Sequence, residues 1–363
     1  HGVGDAGVTI NAQLVKDIDK RLTDAANGVD PEVVYLGFPK DEPIRAAKVK
    51  EGRTRLVYAC PLDVNIVTRM LVGSGIAALH ASYSKTSFST CLNQYSFDLD
   101  RVHTYLTALG GSQFMDGDYK HWDQTTSREL RAYAFKVLGT VFKTHLKVTD
   151  SEWTYLVSCC LDASVQIGQY RFKGDLGTLS GDPLTTIVNN TLNELVHMFA
   201  FYKLNPKADY FESIRLKVGG DDNLSCPAPG VEWNPLAFGN AVKSLGLQYW
   251  PIDKEASALG DELSDFADIT FLGAVPVNYH GMWAGALNKE SLYEGLHWME
   301  SETLQKSIVT YLEMASVHGN LFYEDFSQTI CSALVAAGLE PHFVPSYDEI
   351  TTPRTGYVPQ LNR

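Results

Sequence analysis

Long apolar runs, internal repeats, a secretory signal and zinc-like cysteine spacing are what this chain of 363 residues lacks. No segment is expected to span a membrane, so membrane association, if present, would come through partners. The six cysteines (Cys60, Cys91, Cys159, Cys160, Cys226, Cys331) do not pair up in metal-binding spacings, and Cys159-Cys160 is expected to pack in a helix rather than form a disulfide. A reduced, cytoplasmic setting is the expectation. Net positive charge is lacking too: 30 Lys and Arg against 43 Asp and Glu give −13. Generic adhesion to nucleic acid is thereby excluded, and any bound strand needs a local, salt-sensitive basic channel. The 45% hydrophobic content supports a sizeable core and one large domain with subdomains.

What the chain has is acidic residues at three punctuated places. Ile214, Leu216 and Val218 alternate with Arg215 and Lys217 and run into Gly219-Gly220-Asp221-Asp222, after which Asn223 to Cys226 resumes an extended pattern. That pattern predicts two antiparallel strands with the acidic pair at their turn. Neighbouring carboxylates beside apolar strands are favourable only when solvated or neutralised by a cation. As a lone feature this would more often be an Asp-rich surface hairpin. Upstream, Ser112 to Asp118 reads as a strand leading toward a helix from Ser127, with Asp118 near the strand end and Asp123 in the bend that follows, four residues lying between them. Asp116 competes as a ligand. Hard Mg²⁺ ions take oxygen ligands and keep waters, so carboxylates from a strand and an adjacent hairpin suit a two-metal clamp.

Between these motifs, Ser180-Gly181-Asp182-Pro183 precedes a helix whose Val188, Leu192, Leu195 and Phe199 recur at helical spacing. Thr185 and Asn189 project from one face of its first turns, where they could meet a sugar hydroxyl; alone, the motif would more often be an ordinary N-cap. Six basic residues (Lys40, Arg45, Lys48, Lys50, Arg53, Arg55) face three acidic ones between Lys40 and Arg55, a cationic patch on an anionic body. Glu51-Gly52 is expected to turn a hairpin, placing Arg53 and Arg55 on one face of the returning strand and Leu56 on the other. Arginine forks there suit phosphate oxygens.

Taken in order, these motifs resemble those of the RNA-dependent RNA polymerases of the picornavirus-like positive-strand RNA virus supergroup, over nearly the whole chain. Lys40-Asp-Glu-Pro-Ile-Arg45 through Leu56 is similar to the fingers motif that holds the triphosphate, and Tyr249-Trp-Pro-Ile-Asp-Lys254 to the segment whose lysine protonates pyrophosphate. Ile269 to Gly273 is similar to the primer-grip hairpin, and Leu287 to Trp298 to the first thumb helix. The resemblance implies an α+β right-hand fold with fingers, palm and helical thumb. Residues 1–115 would be partial fingers with the basic hairpin at 40–59, 116–126 palm, 127–178 a fingers insertion that is helical from Ser127 to Tyr170, 179–282 palm, and 283–363 thumb and tail. Amphipathic residues from Asn11 to Ala26 form a helix ended by Gly28, and Thr351 to Pro359 reads as an irregular tail.

By that resemblance Asp118, Asp221 and Asp222 hold Mg²⁺, with Mn²⁺ as a substitute, and Lys254 is the general acid. Lys40, Lys48, Arg53 and Arg55 hold the triphosphate, while Asp123, Ser180, Gly181, Thr185 and Asn189 read the ribonucleotide. Partners are template and product RNA, ribonucleoside triphosphates, a protein primer and other viral replication proteins at membrane-associated complexes in the host cytoplasm. The chain departs from the pattern in three ways. Only 39 residues precede the basic motif, which implies a fragment without the segment bridging fingers and thumb; Gly219 stands where many relatives have an aromatic; and Gly273-Ala274 lacks basic residues. A reverse transcriptase, which would place a bulky gate at Asp123, and a noncatalytic RNA-binding scaffold are the rival readings.

Overall fold

The structure is a computed structural model that describes residues 11–42, 44, 49–175, 177–251, 258–298, 303–341 and 344–356. Lys48 and Lys254 lie outside the described residues. The N-terminal part contains α1 (Ala12–Asn27), β1 (Val34–Pro39), β2 (Leu56–Ala59), α2 (Leu62–Ala81), α3 (Asp98–Leu106), β3 (Met115–Tyr119) and α4 (Trp122–Thr125). It is followed by α5 (Arg128–Leu146), α6 (Asp150–Leu161), β4 (Ser164–Ile167), β5 (Tyr170–Lys173) and α7 (Thr185–Leu204). Then come α8 (Tyr210–Ser213), β6 (Ile214–Gly219), β7 (Asp222–Pro227), α9 (Pro235–Val242), β8 (Tyr249–Trp250), β9 (Ala274–Tyr279) and β10 (Met282–Leu287). The chain closes with α10 (Lys289–Leu296), α11 (Leu304–Ser316), α12 (Asn320–Ala336) and α13 (Tyr347–Gly356).

Local signals set several boundaries. Asn11 accepts the Gln13 amide to start α1, and Gly28 ends it in the left-handed region at φ 68. Helix α6 opens on a reciprocal Thr149/Glu152 capping box and carries Cys159-Cys160 as free thiols. The expected helical stretch from Ser127 to Tyr170 is corrected at its end. From Ser164 the chain is extended, because Ser164, Val165 and Gln166 pair in parallel with Val34, Tyr35 and Leu36 to build a sheet of order β2-β1-β4-β5.

A second sheet, β6-β7-β3-β8, is antiparallel throughout. Helix α7 lies between α5 on one side and α9 and β6 on the other. Two-sided packing changes its buried stripe. Val188 and Leu192 are enclosed as expected, but Leu195 is only half-buried and Phe199 is 41% exposed, while Val196, Ala200 and Phe201 turn inward. Phe142, Phe201 and Phe238 in this core are at most 1% exposed, and each contributes roughly 1.5–3 kcal/mol by burial. Leu99, Val102 and Leu106 of α3 pack with Phe114, Leu224 and Phe266. That stretch therefore packs against β7 of the second sheet.

Expectations for an apolar helix and for the tail are corrected. Helix α2, 20 residues, is long and apolar enough to cross a membrane by length and composition. Here it packs on α1 and α5, and at Gly75 the approach is so close that a Cβ would sit 2.7 Å from the Phe142 ring. The tail is helical through Gly356 because Ser346 and Glu349 cap α13 reciprocally and Ile350 joins the C-terminal core of Leu292, Leu312, Tyr323 and Phe326. At Ile269-Gly273 the chain does turn tightly, Phe271 and Ala274 exchanging two backbone bonds of 3.0 Å across Leu272-Gly273, and Ala274–Tyr279 then pairs with Met282–Leu287.

Candidate active site

The acidic pair sits where the strand pattern predicts. Gly219 pairs with Asp222, leaving Gly220-Asp221 as a two-residue loop, and Gly220 has φ 79, the positive value a type II′ turn requires at its first position. β7 also pairs with β3, whose last rung is Gly117 opposite Asn223. One rung further, Asp118 comes level with Asp222. Gly117 is required here: a Cβ would lie 2.2 Å from the Tyr249 ring. At Gly219 a Cβ would lie 2.3 Å from Leu272 Cδ2, so Leu272 fills the space beside the tip that a larger residue would take.

Asparagines hold the turn, and these were not among the expected site residues. Asn190 Oδ1 accepts the Gly220 amide at 2.6 Å while its amide donates to Thr90 at 3.0 Å. Asn193 Nδ2 donates to the Gly220 and Asp221 carbonyls at 3.0 and 3.1 Å, and its Oδ1 accepts from Tyr119 at 3.1 Å. Asn223 bridges the Gly117 and Asp221 carbonyls and accepts the Tyr249 hydroxyl at 2.9 Å. Three buried amides therefore fix the backbone on which Asp221 and Asp222 ride. The three-residue spacing of Asn190 and Asn193 on a helix was the available signal.

The carboxylates repel one another. Burial, then the charges of Asp221 and Asp118, push Asp222 up to about 6. Burial also raises Asp221, with Asp118 adding to it and Arg55 opposing. Asp123, in the first turn of α4, is raised by burial and by Asp221 and lowered by Arg55. Asp118, Asp123, Asp221, Asp222 and Arg55 thus share one field. Asp116 is turned elsewhere: its carboxylate accepts the Thr270 amide at 2.9 Å.

The basic residues are arranged differently from the expectation. Arg53 and Arg55 both precede β2, which begins only at Leu56, so they do not share a strand face. The Lys40 amide pairs with the Arg55 carbonyl at 2.8 Å, closing the hairpin's mouth. Lys40 and Arg55 both hold Glu42, and the Arg55 bond followed by the Lys40 bond lowers that carboxyl to about 2. Arg53 is 73% exposed and pairs with Glu51 at 2.9 Å.

In the loop before α7, Ser180 is exposed, and a Cβ at Gly181 would lie 1.6 Å from the Tyr58 carbonyl of β2. Thr185 does not project freely, since its hydroxyl donates to the Leu179 carbonyl at 2.7 Å. Asn189 is buried with its Oδ1 unpartnered among the described residues. The loop stays close to Asp123, whose carbonyl accepts the Thr178 amide at 2.9 Å.

Among the described residues no three His, Cys, Asp or Glu side chains are grouped so as to hold a metal ion together. Carboxylates that repel one another are oxygen donors of the kind that suits Mg²⁺, an ion bound by one or two of them with water completing its shell. A cation would also relieve the repulsion that raises Asp221 and Asp222.

Comparison with known proteins gives a consistent picture. A family model described as viral RNA-dependent RNA polymerase matches residues 6–335. The RNA1 polyprotein of Cherry rasp leaf virus is 23% identical, with 95% of this chain and 16% of the polyprotein covered. The genome polyprotein of Human hepatitis A virus genotype IIIB is 26% identical, with 93% of this chain and 15% of the polyprotein covered. The chain therefore spans about a sixth of the curated polyproteins it matches. The solved sicinivirus 3Dpol RNA dependent RNA polymerase shares the fold at a TM-score of 0.81 and 22% identity, covering 98% of this chain and 73% of that one.

Proposed function

Because the chain belongs to the family of viral RNA-dependent RNA polymerases, we propose that it adds ribonucleotides to an RNA 3′-OH, directed by an RNA template, in viral genome replication. The observation that carries this reading is the convergence of Asp118, Asp221 and Asp222 at the β6–β7 turn and the adjoining end of β3, inside the field that also includes Asp123 and Arg55. Asp118 and Asp221 would hold two divalent cations, Mg²⁺ or Mn²⁺, with Asp222 assisting. Such cations, when bound, stabilise charge on the attacking 3′-oxygen and on the departing pyrophosphate.

The chain's own residues position the reactants. Phosphoryl transfer depends mostly on alignment and charge stabilisation, so a guanidinium aimed at the triphosphate has direct value. Arg55 takes that role once a triphosphate competes for it with Glu42, and Lys40 and Lys48 support it. Asp123 accepts a hydrogen bond from the ribose 2′-OH, Asn189 steers it, and Ser180 anchors the loop that checks the nascent pair. Lys254 delivers the proton to pyrophosphate. Partners are template and product RNA, ribonucleoside triphosphates, and other products of the viral polyprotein, including a protein primer, at membrane-associated complexes in the host cytoplasm.

The test is primer extension with Mg²⁺, four ribonucleotides and a primed homopolymer template. Asp221→Asn keeps the side chain's size and removes a ligand charge, so incorporation should fall roughly 10²-fold or more while RNA binding changes little. Wild-type incorporation by this variant would refute the assignment. RNA binding without incorporation by the unaltered protein would favour a scaffold, and a preference for deoxyribonucleotides would favour a reverse transcriptase.

A further inference from the structure

The loop from Gly177 to Leu184 has an exposed tip at Ser180 and buried anchors on both sides. On the near side, Arg131 of α5 is 3% exposed and donates to the Gly177 carbonyl at 2.6 Å. Gly177 has φ 73, and a Cβ there would lie 2.0 Å from the Asp123 carbonyl. On the far side, Asp182 accepts the Leu184 amide at 2.7 Å with one oxygen and the Tyr35 hydroxyl with the other, and Cys160 of α6 lines the same small cavity as Asp182. Tyr35 is 0% exposed and belongs to β1, the strand paired with β2. Residue 182 is thus a junction of three elements distant in sequence.

Beneath the loop is a cavity of about 20 Å³ lined in part by Arg131, Cys160, Thr178, Asp182 and Thr185. That is room for one water. Arg131 Nε and Thr178 Oγ1 are buried without partners among the described residues, and one water would satisfy both.

We propose that Asp182 is a positioning residue, which through the Tyr35 hydroxyl fixes the Ser180-Gly181 tip to the N-terminal sheet. The sheet that carries Arg55 at its mouth and the loop that meets the sugar then form one rigid unit. A hydroxyl-reading loop discriminates only when its polar groups cannot relax around a missing partner. This inference rests on the sugar-reading role given above to the loop, so its test needs one measurement independent of RNA synthesis.

Tyr35→Phe removes only the hydroxyl, and Asp182→Asn leaves one acceptor oxygen where the Leu184 amide and the Tyr35 hydroxyl use two. Tyr210→Phe serves as the control, because the buried Tyr210 hydroxyl has no partner among the described residues. Amide hydrogen exchange should quicken about tenfold or more at residues 181–185 in both variants, with the β6–β7 hairpin unchanged. The ratio of kcat/KM for ribonucleotides over deoxyribonucleotides should fall about tenfold, with kcat at saturating ribonucleotide kept within about twofold. Unchanged exchange, or equal change in Tyr210→Phe, would overturn the proposal. Faster exchange without a change in the sugar ratio would also overturn it, reducing Asp182 to a structural anchor. If the unaltered protein makes no RNA, the functional reading fails, and the exchange result alone decides whether the anchor exists.

Discussion

Replacing Asp222 by Asn should make the metal-free protein more stable and less active at once. Asp222 begins β7 with its carboxyl raised from 3.8 to about 6, by burial first and then by Asp221 and Asp118. Below about pH 4 the folded and unfolded chains both carry the proton, and the group contributes nothing to stability. Between about pH 4 and 6 the unfolded chain ionises first, the native state holds more protons, and stability falls as pH rises. Above about pH 6 the full penalty is present, and a gap of about two pKa units corresponds to roughly 3 kcal/mol. Asn keeps the shape and cannot ionise. In chelator near pH 7.5 the variant should gain about 2–3 kcal/mol in denaturant unfolding, with about half of that gain remaining at pH 5. Mg²⁺ should stabilise the unaltered protein more than the variant, because a ligand that binds only the native state adds to its stability. Primer extension should fall. The reasoning is refuted if the variant is no more stable than the unaltered protein in chelator near pH 7.5, or if the gap does not shrink toward pH 5.

Two further outcomes separate residues that look alike in sequence. Arg55→Ala should raise the apparent nucleotide KM roughly tenfold in steady-state extension, whereas Arg53→Ala should leave it within about twofold, since Arg55 feels Asp123 and Asp221 while Arg53 is exposed beside Glu51. Equal effects would show that the patch acts only as bulk charge. Asn193→Ala leaves the Tyr119 hydroxyl and the Gly220 carbonyl short of a buried partner and the Asp221 carbonyl with Asn223 alone, so stability should drop by roughly 1–3 kcal/mol. It should also lower kcat more than it changes nucleotide KM, and an unchanged kcat would show that the turn holds its own geometry.

Where neighbours in sequence decide the structure, the chain was legible. The alternation of Ile214, Leu216 and Val218 into Gly220-Asp221 is enough to specify a hairpin, and Asn11 with Gly28 is enough to bound α1. Legibility stopped where the deciding partner is far away. Alternation puts Lys217 on the polar side of its strand, yet it is 1% exposed. Its ammonium donates to the Tyr83 and Thr86 carbonyls and lies 4.0 Å from the Tyr105 ring centre, and burial lowers it to about 8. Nothing near residue 217 announces those carbonyls. β4 was missed in the same way, since its parallel partner β1 lies some 130 residues earlier. Asn190 and Asn193 were passed over because polar residues on a helix are normally counted toward solvent, whereas here the opposing surface is another segment's turn backbone.

The acidic cluster and the amides that carry it do different physical work. Asp118, Asp221 and Asp222 supply charge, and their mutual repulsion opposes folding until a cation or protons neutralise it. Asn190, Asn193 and Asn223 are neutral, so their hold on Gly220 and Asp221 does not vary with pH or with bound metal. A turn held by the carboxylates alone would spring open whenever the cation left. With amides holding it, the site stays in shape while empty, and little reorganisation is needed when cation and nucleotide arrive. The two kinds of substitution should therefore diverge: loss of Asp222 changes how stability responds to pH and Mg²⁺, and loss of Asn193 lowers stability by a similar amount at every pH.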